Sequence, residues 1–305
     1  MAAKPDIIGA KAITTKGWFK AHQWLILRRL SQLTILAVFL TGPLFGIWIA
    51  RGNLAFSLTL DTLPLTDPHI LLQALISGVT PENQAIIGVF VVLAFYSLVG
   101  GRVYCSWVCP VNMVTDAAAW LRQKLSIRGA SHMSRSTRYW VLALTLILPV
   151  VTGSIVWELF NPVSMMFRGI VYGLGMTWVL IVGIFLFDLL ISRNGWCGHL
   201  CPVGAFYSLL SYRAPLRVTA ANRNACDDCM DCFAVCPEPQ VIKPALKGGT
   251  KGIGPVILSN QCTNCGRCID VCAPDVFSYG NRFNNTTKNS GNDVEHNSDS
   301  HARAH

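Results

Sequence analysis

Twelve cysteines are the residues best able to do chemistry in this chain of 305, and eight of them stand in two runs of one spacing. The first run is Cys226-x2-Cys229-x2-Cys232-x3-Cys236-Pro237, and the second is Cys262-x2-Cys265-x2-Cys268-x3-Cys272. Three thiolates at this step fit three corners of one [4Fe–4S] cube, while the fourth, after a longer step, reaches the other cube of a two-cluster domain. The expected ligand sets are Cys226, Cys229, Cys232 and Cys272 for cluster 1, and Cys262, Cys265, Cys268 and Cys236 for cluster 2. One departure is visible, in that Ala273 separates Cys272 from Pro274. Structural zinc takes its four ligands as two close pairs. The third cysteine at the same step in each run argues against it.

The other four cysteines form a second repeat. The chain reads Tyr104-Cys105-x3-Cys109-Pro110-Val111, and again Trp196-Cys197-x3-Cys201-Pro202-Val203. Each copy is an aromatic, then Cys-x3-Cys-Pro-Val, then an amphipathic segment at 112–125 or 204–216. Three readings stay open for these thiols. They ligate a further metal or cluster, one pair from each repeat; they form a redox-active dithiol pair that exchanges electrons with the clusters; or they pack as small buried hydrophobes. The spacing does not choose among them. Cys-x-x-Cys-His is absent, which excludes a c-type haem. His199, inside the second copy, reads as an interface packer.

The elements that must position these residues are apolar. Hydrophobic residues make up 52% of the chain and charged residues only 13%, about half the ~25% of an ordinary globular protein. That balance suggests a membrane protein carrying a small soluble domain. Apolar runs at 33–50, 85–101, 139–157 and 171–191 each approach the ~20 residues that cross a bilayer. The expected fold is an α-helical integral membrane protein with four transmembrane helices in two parallel hairpin repeats. A C-terminal cytoplasmic domain of bacterial-ferredoxin-like α+β type follows. The expected division is a basic N-terminus (1–31), a transmembrane domain with both Cys-x3-Cys-Pro motifs (32–216), a double-cluster domain (217–283) and a disordered tail (284–305). Residues 69–79 are apolar but too short to span. They read either as an interfacial or re-entrant helix on the non-cytoplasmic side or as a buried loop helix.

Charge sets the expected orientation. The first 31 residues carry Lys4, Lys11, Lys16, Lys20, Arg28 and Arg29 against Asp6. The stretch between the second and third runs is also basic, while 51–82 holds Asp61, Asp67 and Glu82. The positive-inside rule then puts both termini in the cytoplasm of a bacterial inner membrane, with a multi-pass chain. Arg28-Arg29 reads as the positive flank of a signal anchor rather than an export signal, since no small-residue cleavage site follows. The net charge of +9 is thus a topology signal, and nucleic acid is not needed to explain it.

Absences narrow the mechanism. No histidine lies in any of the four expected spans, so a bis-histidine haem within the bilayer is not expected. No P-loop or dinucleotide fingerprint appears, so no nicotinamide cofactor is expected. A lipid-soluble electron donor is the simplest complement. Its oxidation releases protons, and Asp188, near the end of the fourth run, is the candidate proton acceptor. Glu158 reads as marking the end of a run.

The combination resembles the NapH family, the ferredoxin-type membrane subunits of periplasmic nitrate reductase systems, over roughly residues 15–283. It is also similar to the methylamine-utilisation membrane ferredoxin and to the C-terminal half of the nitrous oxide reductase regulator. The resemblance implies a quinol dehydrogenase component. It would pass electrons from membrane quinol to a periplasmic ferredoxin-type iron–sulfur protein, and through cytochromes to nitrate reductase. The predicted clusters face the cytoplasm, which leaves room for a second cytoplasmic or membrane redox partner. Whether the chain is an enzyme in its own right stays open. The alternative from a different class is a membrane redox-sensing or metal-cofactor assembly protein that uses its clusters and Cys-x3-Cys-Pro motifs.

Overall fold

The computed structural model describes residues 8–127, 133–173 and 175–283. The expected disorder after 283, with His296, His301 and His305, lies outside the described residues. The chain forms two compact units. One holds Ile26–Ala214 together with Thr263–Cys265; the other holds the residues up to Leu25, Pro215–Cys262 and the chain from Gly266.

The first unit is helical, and here the four-span expectation is corrected. Among the described residues one helix, Gln23–Phe45, is long and apolar enough to cross a membrane. At 1.5 Å per residue its 23 residues cover about 35 Å, against ~30 Å of hydrocarbon. The other apolar runs are cut short by glycines in left-handed or extended positive-φ conformations. Helix Asn83–Val99 stops at Gly100, φ 118°. Helix Thr137–Thr152 stops at Gly153, φ 63°. The run expected to begin at residue 171 is split at Gly173, φ 65°, between helices Pro162–Tyr172 and Gly175–Leu190. These pieces have 16 or 17 residues and reach only about 24–26 Å. The first helix also begins ten residues before the run at 33–50, and Ala50 belongs to a strand.

An antiparallel three-stranded sheet, absent from the sequence reading, follows that helix. Ala50–Gly52 pairs with Phe56–Thr59, which pairs with Leu63–Thr66. Asp67 then caps helix Pro68–Ile76 by accepting a hydrogen bond from the His69 N–H at 2.8 Å. His69 and Gln73 on this helix are fully buried, which favours the buried-helix reading. His69 Nε2 lies 3.2 Å from Thr145 Oγ1 and from Gln73 Nε2.

The second unit is a small α+β domain. Leu216–Thr219 pairs antiparallel with Ser278–Asn281, and short helices Asp231–Val235 and Arg267–Asp270 each start inside a cysteine run. The two runs share a backbone code. Asp228 and Asn264, at matching positions, take φ 56° and 47°, and Met230 and Gly266 take 65° and 73°. Asn and Asp tolerate this region better than most residues. Val218, Ile242, Leu246, Ile257, Val276 and Phe277 form the core, with Cys232, Cys268 and Cys272 embedded in it.

The N-terminal stretch packs onto this unit. The Gly9 N–H donates to Asp231 Oδ2 at 3.0 Å, and Lys11 pairs with Asp227 at 3.1 Å. Lys16 pairs with Asp275 and donates to the Ile269 carbonyl. The N–H groups of Trp24 and Leu25 both donate to the buried Asp270 carboxylate, at 3.1 and 3.0 Å. The ring of Trp24 stands edge-on to Tyr279.

Candidate metal centre

None of the twelve cysteines is in a disulfide. In the C-terminal unit, Cys226, Cys229, Cys232 and Cys272 line one cavity, closed by Phe233, Leu246, Val271, Val276 and Phe277. These are the four thiols expected for cluster 1, three from one run and one from the other. The donor set and the apolar wall fit a [4Fe–4S] cluster. Cys229 is exposed while Cys232 and Cys272 are buried, so one corner of the site opens to solvent. Of the second set, Cys265 and Cys268 are buried, and Cys236 and Cys262 are half-buried. Burial pushes the Cys232 thiol up to about 12. Such a thiol keeps its proton until metal replaces it, so loading the site releases protons.

The two Cys-x3-Cys-Pro motifs adopt one geometry. Each is a single π-helical turn, Tyr104–Val108 and Trp196–Leu200. The Cys109 N–H donates to the Tyr104 carbonyl at 3.0 Å, and the Cys201 N–H to the Trp196 carbonyl at 2.9 Å. A helix follows each turn, Val111–Lys124 and Pro202–Leu210. Pro202 is at the first helical turn, where its missing N–H leaves no gap. Cys201 caps its helix, accepting from the Gly204 N–H at 3.5 Å.

The repeats face each other. The Tyr104 and Tyr207 rings stack at 4.8 Å, with Tyr96 edge-on to both. Cys105, Cys109 and Cys201 pack against this aromatic cluster. A Cβ on Gly204 would lie 3.8 Å from Cys105 Sγ, so the second repeat's helix abuts the first repeat's thiol. The Cys197 thiol donates to Thr115 Oγ1 of the first repeat at 3.8 Å. Burial pushes the Cys201 thiol up to about 12. It raises the Cys105 thiol too, opposed by the neighbouring Arg102 guanidinium. Arg102 also donates to the Cys197 carbonyl at 3.3 Å, tying the two turns together. Among the described residues no three His, Cys, Asp or Glu side chains converge closely enough to hold a single metal ion.

Asp188 is fully buried, and its Oδ1 accepts from the Trp196 N–H at 2.9 Å. It thereby pins the start of the second turn. Arg122 donates to the Asp188 and Leu189 carbonyls at 3.3 and 2.8 Å, closing that helix end. Glu158 is ion-paired with Arg168 at 3.4 Å.

Sequence reasoning missed the residues that grip the first turn from the long helix. Ser31 Oγ donates to the Trp107 carbonyl at 2.9 Å. Gln32 Nε2 donates to the Ser106 and Cys109 carbonyls, both at 3.1 Å. Arg28 and Arg29 meet Asp116, Arg28 at 3.8 Å. A polar glutamine directly before the apolar run at 33–50 was the available signal.

Sequence-family comparison matches residues 83–128 and 174–219 to a 4Fe-4S binding domain, and 225–276 to a 4Fe-4S dicluster domain. The first two matches contain the Cys-x3-Cys-Pro turns, and the third holds both cysteine runs. The ferredoxin-type protein NapH of Haemophilus influenzae is 47% identical over 94% of this chain and 99% of its own length. This chain belongs to the NapH family of ferredoxin-type proteins. NapH of Escherichia coli is 44% identical over 94% of this chain and 100% of its own length. The methylamine utilization ferredoxin-type protein MauN of Methylorubrum extorquens is 50% identical over 88% of this chain and 92% of its own length. No solved structure matches. Membership and the cysteine sites together make this an iron–sulfur electron-transfer protein carrying [4Fe–4S] clusters.

Proposed function

We propose that the protein oxidises membrane quinol and passes the electrons through its two [4Fe–4S] clusters to further redox proteins. The observation that carries this reading is the cavity in which four thiols, drawn crosswise from two cysteine runs, meet under an apolar wall. A cluster held there supplies one-electron redox chemistry. Around it this chain's residues hold the thiolates, exclude water on the buried side and leave the Cys229 corner open for electron exit. The four thiols of the Cys-x3-Cys-Pro turns form a further redox centre, ligating a multi-iron group or acting as dithiols.

The membrane reading rests on helix Gln23–Phe45, of which only 22% is buried. A core helix of a soluble protein is mostly covered; this one offers its apolar surface to something else. Phe90, Trp140, Val151 and Val179 on the shorter helices are likewise more than 60% exposed, which suits lipid or a partner subunit. Residues 8–25 and the chain from Pro215 belong to one compact unit, which supports the reading that both lie on one side of the bilayer. The chain then crosses the bilayer an even number of times in total. The basic N-terminus puts that side in the cytoplasm of a bacterial inner membrane.

The acceptor follows the NapH resemblance: a periplasmic ferredoxin-type iron–sulfur protein, leading towards periplasmic nitrate reductase. MauN relatives of similar identity carry methylamine utilisation in their name, so the acceptor is where relatives divide. The sensing or assembly alternative needs thiols open to incoming metal, whereas Cys105, Cys109, Cys197 and Cys201 are each half-buried. The test is anaerobic mixing of the detergent-solubilised protein with reduced quinol, followed by electron paramagnetic resonance. Reduction of the cluster signals on a turnover timescale supports the reading. Clusters that stay oxidised with quinol, yet reduce with dithionite, overturn it.

A further inference from the structure

Besides the long helix and the second repeat, the first Cys-x3-Cys turn touches a segment that lies still farther away in sequence. Thr263–Cys265, the stretch of the second cysteine run that ends on a cluster 2 ligand, groups with the helical unit. Ser106 Oγ donates to the Thr263 carbonyl at 2.8 Å. Trp107 Nε1 donates to the Asn264 carbonyl at 3.1 Å. Asn264 Nδ2 in turn reaches the Val99 carbonyl at 3.4 Å, at the end of the helix that leads into the turn. Both donors sit between Cys105 and Cys109, and both acceptors are peptide carbonyls directly before Cys265.

We propose that the first Cys-x3-Cys turn is where electrons enter the C-terminal clusters, with Ser106 and Trp107 coupling it to the Cys265 loop. This rests on the quinol-oxidising reading and names its internal route. Electron tunnelling weakens steeply with each gap between atoms, and a hydrogen bond replaces a van der Waals jump with a shorter step. Ser106, Thr263 and Asn264 are at most 8% exposed, and Gln32 behind them is 1% exposed. The Ser106 arm of the link is therefore shielded from water and its hydrogen bond correspondingly strong, while Trp107 is half-buried. Ser31 and Gln32 hold the other side of the same turn through the Trp107, Ser106 and Cys109 carbonyls. The turn is thus fixed from both faces. The second turn has Gly198 and His199 at the matching places, and Gly198 has no side chain to donate. The two repeats are equal in their thiols and unequal in this contact.

The electron balance closes. A hydroquinone gives up two electrons and two protons; with both clusters bound, each would take one electron, and the protons would go to water. Cys265 would help to hold cluster 2, the first to be reached, and the exposed Cys229 would mark cluster 1 as the exit.

The test uses the full chain carrying Ser106→Ala with Trp107→Phe, which removes both donors and keeps the aromatic ring. The expected result is at least a tenfold slower cluster reduction by hydroquinone, with iron per chain unchanged. In dithionite-reduced samples, the paramagnetic resonance signal shared by Cys262 and Cys236 variants should shift, and the other signal should not. A wild-type rate with an unshifted signal overturns the proposal. If wild-type protein is not reduced by hydroquinone at all, the functional reading fails. The dithionite spectra still decide whether Ser106 and Trp107 act on that cluster, and an unshifted signal then overturns the proposal by itself.

Discussion

Gly101 lies so close to Tyr207 that a Cβ on the glycine would overlap the Tyr207 carbonyl oxygen, far inside contact distance. Backbone meets backbone where the two repeats join, beside the stacked rings of Tyr104 and Tyr207. A side chain at 101 has no flexible neighbour to displace. Gly101→Ala is expected to destabilise the helical unit by several kcal/mol, of the order of ~3 for overpacking at a rigid contact. Gly204→Ala is the control, since its Cβ would meet atoms no nearer than 3.5 Å. Thermal unfolding in detergent should separate the two variants; equal midpoints would contradict the packing described here.

Asp188 is expected to act through position rather than as a proton acceptor. Its Oδ1 holds the Trp196 N–H, and an amide oxygen can accept that hydrogen bond as well. Asp188→Asn should therefore reduce its clusters with quinol within about threefold of wild type, with an unchanged pH profile. Asp188→Leu, which removes the acceptor, should lower thermal stability by about 1–3 kcal/mol, the penalty for an unsatisfied buried donor. A collapse of the quinol rate in the asparagine variant, with an altered pH profile, would restore the proton-acceptor role.

The crosswise ligand sets predict which variants share a phenotype. Cys272→Ser should disturb the same resonance signal as Cys226→Ser, although 46 residues separate the two positions. Cys236→Ser should pair instead with Cys262→Ser. Grouping of Cys236 with Cys226, its neighbour in sequence, would show that each run serves its own cluster.

Burial holds the Asp67 carboxyl at about 6, above its ordinary 3.8, with Glu158 adding to the rise. The folded state thus binds this proton more tightly than the unfolded state does. The contribution is fully present below pH ~4, declines between pH 3.8 and about 6, and is absent above. A two-unit shift corresponds to about 3 kcal/mol at most. Asp67→Asn keeps an oxygen for the His69 N–H and cannot ionise. Denaturant midpoints from pH 4 to 7 should fall less steeply for the variant than for wild type; parallel curves would mean that Asp67 ionises without penalty.

The two cysteine runs were legible because their spacing is local in sequence. Three thiolates on one loop leave a spacing that no other constraint produces. The repeat of the Cys-x3-Cys-Pro turns was legible for the same reason. Span count was not. Hydropathy reports apolar composition, whereas the lengths of the helices are set by Gly100, Gly153 and Gly173, whose backbone angles end each helix. The attachment of residues 8–25 to the C-terminal unit was also hidden. Lys11 with Asp227, and Trp24 with Asp270, are pairings across more than 200 residues, and nothing local marks them. Basic residues near the N-terminus read as a topology signal, and Lys11 and Lys16 are also ion-pair partners within the C-terminal unit.

The most direct measurement is an anaerobic titration of the purified protein with reduced quinol, with reduced clusters counted by paramagnetic resonance against iron per chain. The account predicts that one quinol delivers two electrons, one to each C-terminal cluster, as the first equivalents are added. Clusters that remain oxidised through excess quinol, in protein whose clusters dithionite reduces fully, would contradict it.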